Sequence, residues 1–230
     1  MHNSILPRIG TVALFGPLHL LLIVITGAVA TLLSWLCRRE KSLARPLRLA
    51  LGCGLAVNEL VWWAFRYSHE GIHASNLPLQ LCDATVWSTV LACVTLVPGA
   101  VEFSYFAGIA GAGLAILTPD LWSPWPSYPA IYFFLGHGGI VVGAAMLVFG
   151  GIAPLRRGAV WRAYGWLLAY TGVMSIFDAI SGANYMYLRQ KPRTETLLNA
   201  LGPWPVYILV GMALGLGLFW VMWLPARRGK

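Results

Sequence analysis

Long apolar stretches, bounded by charged residues or by proline, follow one another along the 230-residue chain. A membrane-spanning helix needs about 20 mainly apolar residues. The pattern predicts helices at residues 11–37, 46–66, 79–98, 101–118, 128–150, 160–182 and 203–224. Little of the chain lies outside them, so we expect an all-α membrane protein whose residues 1–230 form a single bundle of seven transmembrane helices.

The composition agrees with this interpretation. Hydrophobic residues make up 58% of the chain and charged residues 10%, whereas about 25% of the residues in a soluble domain are charged. The net charge of +8 comes from Lys and Arg beside the predicted helices, where anionic lipid headgroups can bind them. We therefore expect membrane lipids as partners and no nucleic acid.

The distribution of positive charge predicts an orientation, because short loops rich in Lys and Arg stay on the cytoplasmic side. Most basic residues fall at one set of helix ends: Arg38, Arg39, Lys41, Arg45, Arg48, Arg156, Arg157, Arg162, Arg227, Arg228 and Lys230. The opposite ends carry Arg8, Arg66, Arg189, Lys191 and Arg193. The N-terminus is predicted outside and the C-terminus in the cytoplasm.

Polar side chains interrupt the predicted spans, although a charge at the centre of a span costs about 2.5–3.5 kcal/mol on insertion scales. They are His19, Asn58, Glu59, Cys82, Asp83, His137 and Asp178. The predicted topology puts all of them in the outer half or the middle of the membrane. Separate interhelical hydrogen bonds explain any one of them. Together they favour a shared polar cavity that opens outward.

Cys82 is the candidate nucleophile of this cavity. Asn76 and Pro78 are suited to the N-cap and the first turn of the third helix. Cys82 would then lie near the positive end of the helix dipole, where a thiol ionises more easily. Asp83 is turned about 100° from Cys82 on a helix, so we expect it to orient a histidine or hydroxyl on another helix. The base is either His137 or His19.

A second motif has the form of a zinc site. His69-Glu70-Gly71-Ile72-His73 matches H-E-x-x-H, in which one helix face carries both histidines. Here a glycine lies inside the motif and an asparagine and a proline follow it, so we expect a loop without a metal. Nothing in the sequence implies a haem, a flavin or a nucleotide, and we expect no cofactor.

Two further patterns concern packing. Glycines in the fourth and fifth predicted helices favour close helix approach; they are Gly108, Gly111, Gly113, Gly138, Gly139 and Gly143. Aromatic residues near the outer helix ends predict an interfacial belt. This belt comprises Trp122, Trp125, Tyr128, Tyr185, Tyr187, Trp204 and Tyr207.

The chain resembles a known family in several segments. The run Leu77–Asp83, the pair Gly136-His137 and the segments Asn184–Pro192 and Gly202–Tyr207 are similar to the bacterial YwaF-like integral membrane proteins. Phe15-Gly16 followed by His19 fits the same pattern. The resemblance extends over nearly the whole chain and implies a seven-helix protein of the bacterial cytoplasmic (inner) membrane.

The same resemblance implies an activity, because the eukaryotic relative transmembrane protein 164 is a cysteine-dependent lipid acyltransferase. Cys82 would accept the acyl group and His137 would be its base. Gln80 stands where relatives often have a histidine, which leaves His137 or His19 as the base. The supporting residues are His19, Glu59, Gln80, Asp178, Asn184, Tyr185, Arg189 and Lys191.

These supporting residues have two interpretations. Gln80, Asn184 and Tyr185 are candidate donors to an oxyanion, or they fix the loop after the sixth helix. Arg189 and Lys191, with Arg193, are candidate ligands of a lipid phosphate, or they belong to a solvated loop.

The leading hypothesis is a membrane-embedded acyltransferase or acyl-lipid hydrolase that acts on a phospholipid or another acyl lipid. The alternative is a transporter or small-molecule-binding membrane protein that uses the same cavity. The sequence leaves open the acyl donor and acceptor, transfer against hydrolysis, and the oligomeric state.

Overall fold

The computed structural model describes residues 12–119, 121, 123–192 and 197–227. This part of the chain is helical, without strands. Its long helices are α1 (Pro17–Arg39), α2 (Lys41–Glu70), α3 (Leu81–Thr95), α4 (Pro98–Leu117), α5 (Tyr128–Phe149), α6 (Ala159–Ser181) and α7 (Val206–Ala226). The predicted all-α organisation with seven long helices is confirmed.

α5 is the central helix of the bundle. It contacts α1, α2, α3 and α4. Of the residues in its most apolar stretch 67% are buried, against 11% for α1 and for α7. Among the described residues, α1, α4, α5, α6 and α7 are long and apolar enough to cross a membrane. The protein is therefore a multi-pass membrane protein.

α3 is shorter than the sequence predicts. It has 15 residues and a length of about 22 Å, less than the roughly 30 Å of a bilayer's hydrocarbon core. It ends where Leu96 takes a left-handed conformation (φ 58°), and Pro98 begins α4. The predicted helix at 79–98 is thus wrong at both ends.

The predicted start of α3 at Asn76 and Pro78 is also wrong. The N-cap is Gln80, whose backbone is extended. Asn76 instead closes the loop before it: its Oδ1 accepts the N–H of His73 at 2.8 Å and its Nδ2 donates to the carbonyl of Gly71 at 2.8 Å. Local loop bonds therefore compete with the capping role that asparagine has in helices.

At the C-terminal ends of α3 and α5, basic side chains donate hydrogen bonds to backbone carbonyls. Arg48 donates to the carbonyl of Val94 at 2.9 Å and to that of Cys93, and Arg38 donates to the carbonyl of Phe149. The last carbonyls of a helix lack intrahelical partners. These arginines therefore cap α3 and α5, a role that the charge pattern alone does not reveal.

The glycine prediction is confirmed where helices meet. A Cβ at Gly143 would lie 2.8 Å from Thr89 Cγ2, and one at Gly108 would lie 2.9 Å from Ile140 Cγ2. A Cβ at Gly113 would meet nothing within 4 Å. At Gly113 the prediction of close packing is wrong.

The aromatic belt is only partly as predicted. Trp204 is 61% exposed, but Tyr185 and Tyr207 are each 2% exposed. Their hydroxyls bind backbone carbonyls, because a buried phenol needs a partner. Trp122, and the predicted charges Arg8, Arg193, Arg228 and Lys230, lie outside the described residues.

Candidate functional site

Cys82 is the second residue of α3 and carries a free, partly buried thiol. The Asp83 carboxylate accepts the N–H of the N-cap Gln80 at 2.7 Å and so stabilises the helix start. The N–H groups of Cys82 and Asp83 lie near the sulfur. These are first-turn donors, which the helix itself does not satisfy. The thiol therefore sits at a helix N-terminus, as predicted, on a helix that starts later.

The Asp83 carboxyl lies beside the carboxyl of Glu59 on α2, close enough for the two groups to interact. Glu59 is fully buried, and its two oxygens also accept hydrogen bonds from Trp63 Nε1 and from the Tyr132 hydroxyl, each at 2.8 Å. The acid pair and its two donors therefore form one polar cluster where α2, α3 and α5 meet.

The predicted partner of Asp83, a histidine or hydroxyl on another helix, is replaced by Glu59. The hydroxyl in this cluster, that of Tyr132, binds Glu59 instead. Sequence reasoning missed Trp63 and Tyr132. Trp63 follows Glu59 by one helical turn, a spacing at which side chains meet. Tyr132 lies on another helix, and no local signal connects it with Glu59.

His19 is not available as a base. Its Nδ1 accepts the N–H of Phe15 at 2.9 Å, so its Nε2 carries the proton and donates to the carbonyl of Ile116 at 2.7 Å. Both ring nitrogens are engaged, and the side chain is fully buried. His19 therefore joins α1 to the end of α4 and has no free lone pair with which to take a proton.

His137 has the opposite arrangement. Its Nδ1 donates to the carbonyl of Phe133 at 2.8 Å, and its ring packs on that of Phe133 with centroids 4.2 Å apart. The tautomer with the proton on Nδ1 leaves a lone pair on Nε2. No hydrogen bond engages Nε2 among the described residues. Of the two predicted bases, only His137 can accept a proton as it stands.

The helix register puts Cys82 level with His137. Val86 packs with Ile140, and Thr89 contacts Gly143, so α3 and α5 run in the same direction. Cys82 and Gly136 each lie two turns before Thr89 and Gly143, respectively. Among the described residues, no hydrogen bond links the Cys82 thiol to His19 or to His137.

The loop after α6 holds most of the other predicted residues. Asp178 is fully buried; its Oδ1 accepts the N–H of Tyr185 at 3.0 Å, and its Oδ2 has no partner among the described atoms. Asn184 Oδ1 accepts the N–H groups of Arg189 and Gln190 at 3.0 and 3.1 Å. Asn184 and Tyr185 therefore hold the loop in place, the second of their two interpretations, and Asp178 binds the backbone of the same loop.

Gln80 connects this loop to α3 and keeps a donor free. Its Oε1 accepts the N–H of Met186 at 3.0 Å. Its Nε2 makes no hydrogen bond in the described part of the chain. Of the three predicted oxyanion donors, Gln80 is thus the one with a free N–H near Cys82.

The two basic residues of the loop lie at the surface. Arg189 is exposed, and its Nη1 reaches the carbonyl of Ala183 at 3.4 Å. The ammonium of Lys191 lies 5.2 Å from the centre of the Tyr207 ring.

The H-E-x-x-H sequence does not form a single helix face. α2 ends at Glu70, and Gly71 has φ 72°, so His69 lies on the helix and His73 in the loop. Glu70 binds Arg66 at 3.0 Å, and this hydrogen bond holds the pKa of Glu70 below its usual value. Over the described residues no group of three His, Cys, Asp or Glu side chains could hold a metal ion.

In the part of the chain that the structure describes, the predicted polar residues do not all meet at one site. His19, the Glu59–Asp83 pair and Asp178 lie in separate contacts. The larger cavities next to α3 are apolar grooves. One of about 340 Å³ lies between α4, α6 and α7 and reaches Leu81. Another, of about 620 Å³, lies on the face of α3 that carries Ala84, Trp87 and Ser88.

The fold is that of a multi-pass α-helical membrane protein. Apolar helices surround the central α5, and a polar cluster lies at the start of α3. The TMEM164 family matches residues 14–223 of the chain. The chain therefore belongs to the TMEM164 family. No curated protein and no solved structure gave a match.

Proposed function

We propose that the chain is a membrane-embedded acyltransferase or acyl-lipid hydrolase, with Cys82 as nucleophile and His137 as base. One feature carries the proposal: a free thiol at a helix N-terminus is level, by the helix register, with an imidazole whose Nε2 accepts no hydrogen bond from the described residues. Membership of the TMEM164 family is compatible with it. The missing hydrogen bond is no objection, since catalytic hydrogen bonds often tighten only when substrate is bound.

The first chemical step transfers the acyl group to sulfur. His137 Nε2 takes the thiol proton, and the thiolate attacks the ester carbonyl of the lipid. The ester C–O bond then breaks, and the imidazolium gives its proton to the leaving alcohol. The developing oxyanion is stabilised by Gln80 Nε2 and by the first-turn N–H group of Cys82.

The second step breaks the acyl–sulfur bond of the thioester and restores the Cys82 thiol. Water or the hydroxyl of another lipid attacks it, His137 takes the proton of the attacking group, and the proton returns to the sulfur. Hydrolysis and transfer differ only in this acceptor. The predicted orientation places Cys82 near the outer surface of the cytoplasmic membrane, at the depth of outer-leaflet ester bonds.

Acyl trapping on Cys82 tests the proposal. Purified protein in nanodiscs is incubated with a phospholipid that carries an alkyne-tagged acyl chain, and hydroxylamine-sensitive protein label is measured. We expect label on the native protein and on Cys53→Ser, which changes an exposed cysteine, and none on Cys82→Ala. For His137→Asn we expect labelling slower by about 10²–10⁴-fold, as for loss of a general base. Label that persists in Cys82→Ala would overturn the assignment.

A proton-coupled transporter is the second candidate, because the carboxyl of Glu59 is fully buried inside the bundle and lies beside that of Asp83. Ionisable groups of this kind serve transport in membrane proteins. The labelling experiment separates the two candidates. Native protein that never acquires a thioester, but acidifies the interior of liposomes when a polar solute that does not cross protein-free bilayers is supplied, supports transport.

A further inference from the structure

The groove between α4, α6 and α7 is large enough for a ligand. Its volume of about 340 Å³ is within the roughly 300–1,000 Å³ of small-molecule sites. Its lining is apolar apart from Thr171 and the phenol of Tyr207, and both hydroxyls already donate to backbone carbonyls. An occupant must therefore be apolar over most of its length.

Glycines keep this groove open. Gly111, Gly211 and Gly215 belong to its lining. A Cβ at Gly211 or Gly215 would meet nothing within 4 Å, and one at Gly111 would meet only Leu81 Cδ2, at 3.8 Å. The glycine positions of α7 thus leave space in the groove that no described side chain fills.

One end of the groove reaches the first turn of α3, which carries the proposed nucleophile. Leu81 lines the groove and directly precedes Cys82. Met186 also lines it, and its N–H donates to Gln80 Oε1. A chain in the groove would therefore bring a group at its end to the first turn of α3, within one residue of Cys82 along the chain.

Positive charge lies beside the same groove. Leu188 and Tyr207 belong to the lining. Arg189 follows Leu188 in the chain, and the ammonium of Lys191 lies 5.2 Å from the ring centre of Tyr207. Ammonium and guanidinium groups form strong, charge-assisted hydrogen bonds with phosphate. An apolar groove with cations next to it is complementary to an anionic lipid.

We propose that this groove binds one acyl chain of a phospholipid, with the phosphate beside Arg189 and Lys191 and the ester at the start of α3. The statement that this lipid is the acyl donor for Cys82 rests on the proposed function. The occupancy of the groove does not.

Photocrosslinking tests the groove independently of the chemistry. The protein in nanodiscs is irradiated with a phospholipid that carries a diazirine within one acyl chain, and crosslinked peptides of α4 and α7 are quantified. Gly215→Phe and Gly211→Phe fill the groove. Gly217→Phe is the matched control, because Gly217 lies on the same helix outside the lining and its Cβ also meets nothing within 4 Å. We expect a loss of about tenfold or more for the two groove variants, a typical effect of altering an apolar pocket, and none for the control.

The outcomes separate the two proposals. Crosslinking that survives both groove variants, or that falls equally in Gly217→Phe, overturns the groove proposal. Crosslinking that depends on the groove, in a native protein that acquires no acyl label on Cys82, supports the groove and overturns the nucleophile. Charge is tested with Lys191→Gln, for which we expect weaker capture of the lipid and unchanged capture of a diazirine-bearing alkane.

Discussion

Single residues show how a charge is held inside this bundle. Glu59 is fully buried, yet each of its oxygens has a donor, and its carboxyl lies beside that of Asp83. A buried polar group is tolerated when it is paired, and it is costly when one partner is removed. The partners of Glu59 therefore matter as much as Glu59 itself.

Tyr132→Phe removes one of these donors. We expect a loss of about 1–3 kcal/mol of stability, the usual cost of leaving a buried acceptor unsatisfied. Thermal unfolding in detergent measures the change. Tyr164→Phe is the control. That phenol lies away from the acid cluster and donates to the backbone carbonyl of Met212 at 3.2 Å. An equal shift in both variants would contradict a special role for Tyr132.

At the level of elements, the bundle depends on the glycine faces of α5. α2 and α3 approach α5 at Gly143: a Cβ there would lie 2.8 Å from Thr89 Cγ2 and 3.2 Å from Leu51 Cδ2. The register argument for Cys82 and His137 uses this same contact. Moving these helices apart would therefore alter the candidate site two turns away.

Gly143→Val should separate α3 from α5. We expect a destabilisation of about 1–3 kcal/mol, as for overpacked cores, together with slower acyl labelling of Cys82. Gly165→Val is the control, because a Cβ at that position of α6 meets nothing within 4 Å. Thermal unfolding and the labelling rate are measured in parallel. Native behaviour of Gly143→Val in both measurements would show that the close approach is dispensable.

At the scale of the whole molecule, a charged network joins α4 to the loop before α6 and to the first turn of α6. Glu102 is almost fully buried and binds Arg156 at 2.9 Å and Arg162 at 2.7 Å. Both arginines are partly exposed, with 50% and 40% of their side-chain surface accessible. The sequence shows these arginines only as a sign of orientation, and that orientation stays a prediction.

Glu102→Gln tests this network. Breaking a fully buried pair costs about 3–5 kcal/mol. Because solvent screens the two arginines, we expect about 1–3 kcal/mol by thermal unfolding. Glu70→Gln is the control, since its bridge to Arg66 is exposed and such pairs contribute about 0–1 kcal/mol. A larger shift for Glu70→Gln than for Glu102→Gln would contradict the importance of the network.

The sequence by itself determined that the protein lies in a membrane and which stretches of the chain form helices. Apolar stretches of this length dictate membrane spans, because the bilayer leaves backbone groups no partners outside a helix. It also singled out Cys82, since a thiol beside a carboxylate within an apolar segment is visible in one dimension. It placed the start of α3 wrongly, because the side chain of Asn76 closes a loop that its neighbours define.

Only the tertiary structure decided which polar residues meet. His19 and His137 look equivalent along the chain, yet one has both ring nitrogens engaged and the other keeps Nε2 unengaged. Glu59 pairs with Asp83 and binds Tyr132 because α2, α3 and α5 pack together there. The physical reason is the same in each case. A hydrogen-bond partner is chosen by distance in space, and residues far apart in sequence become neighbours only through helix packing.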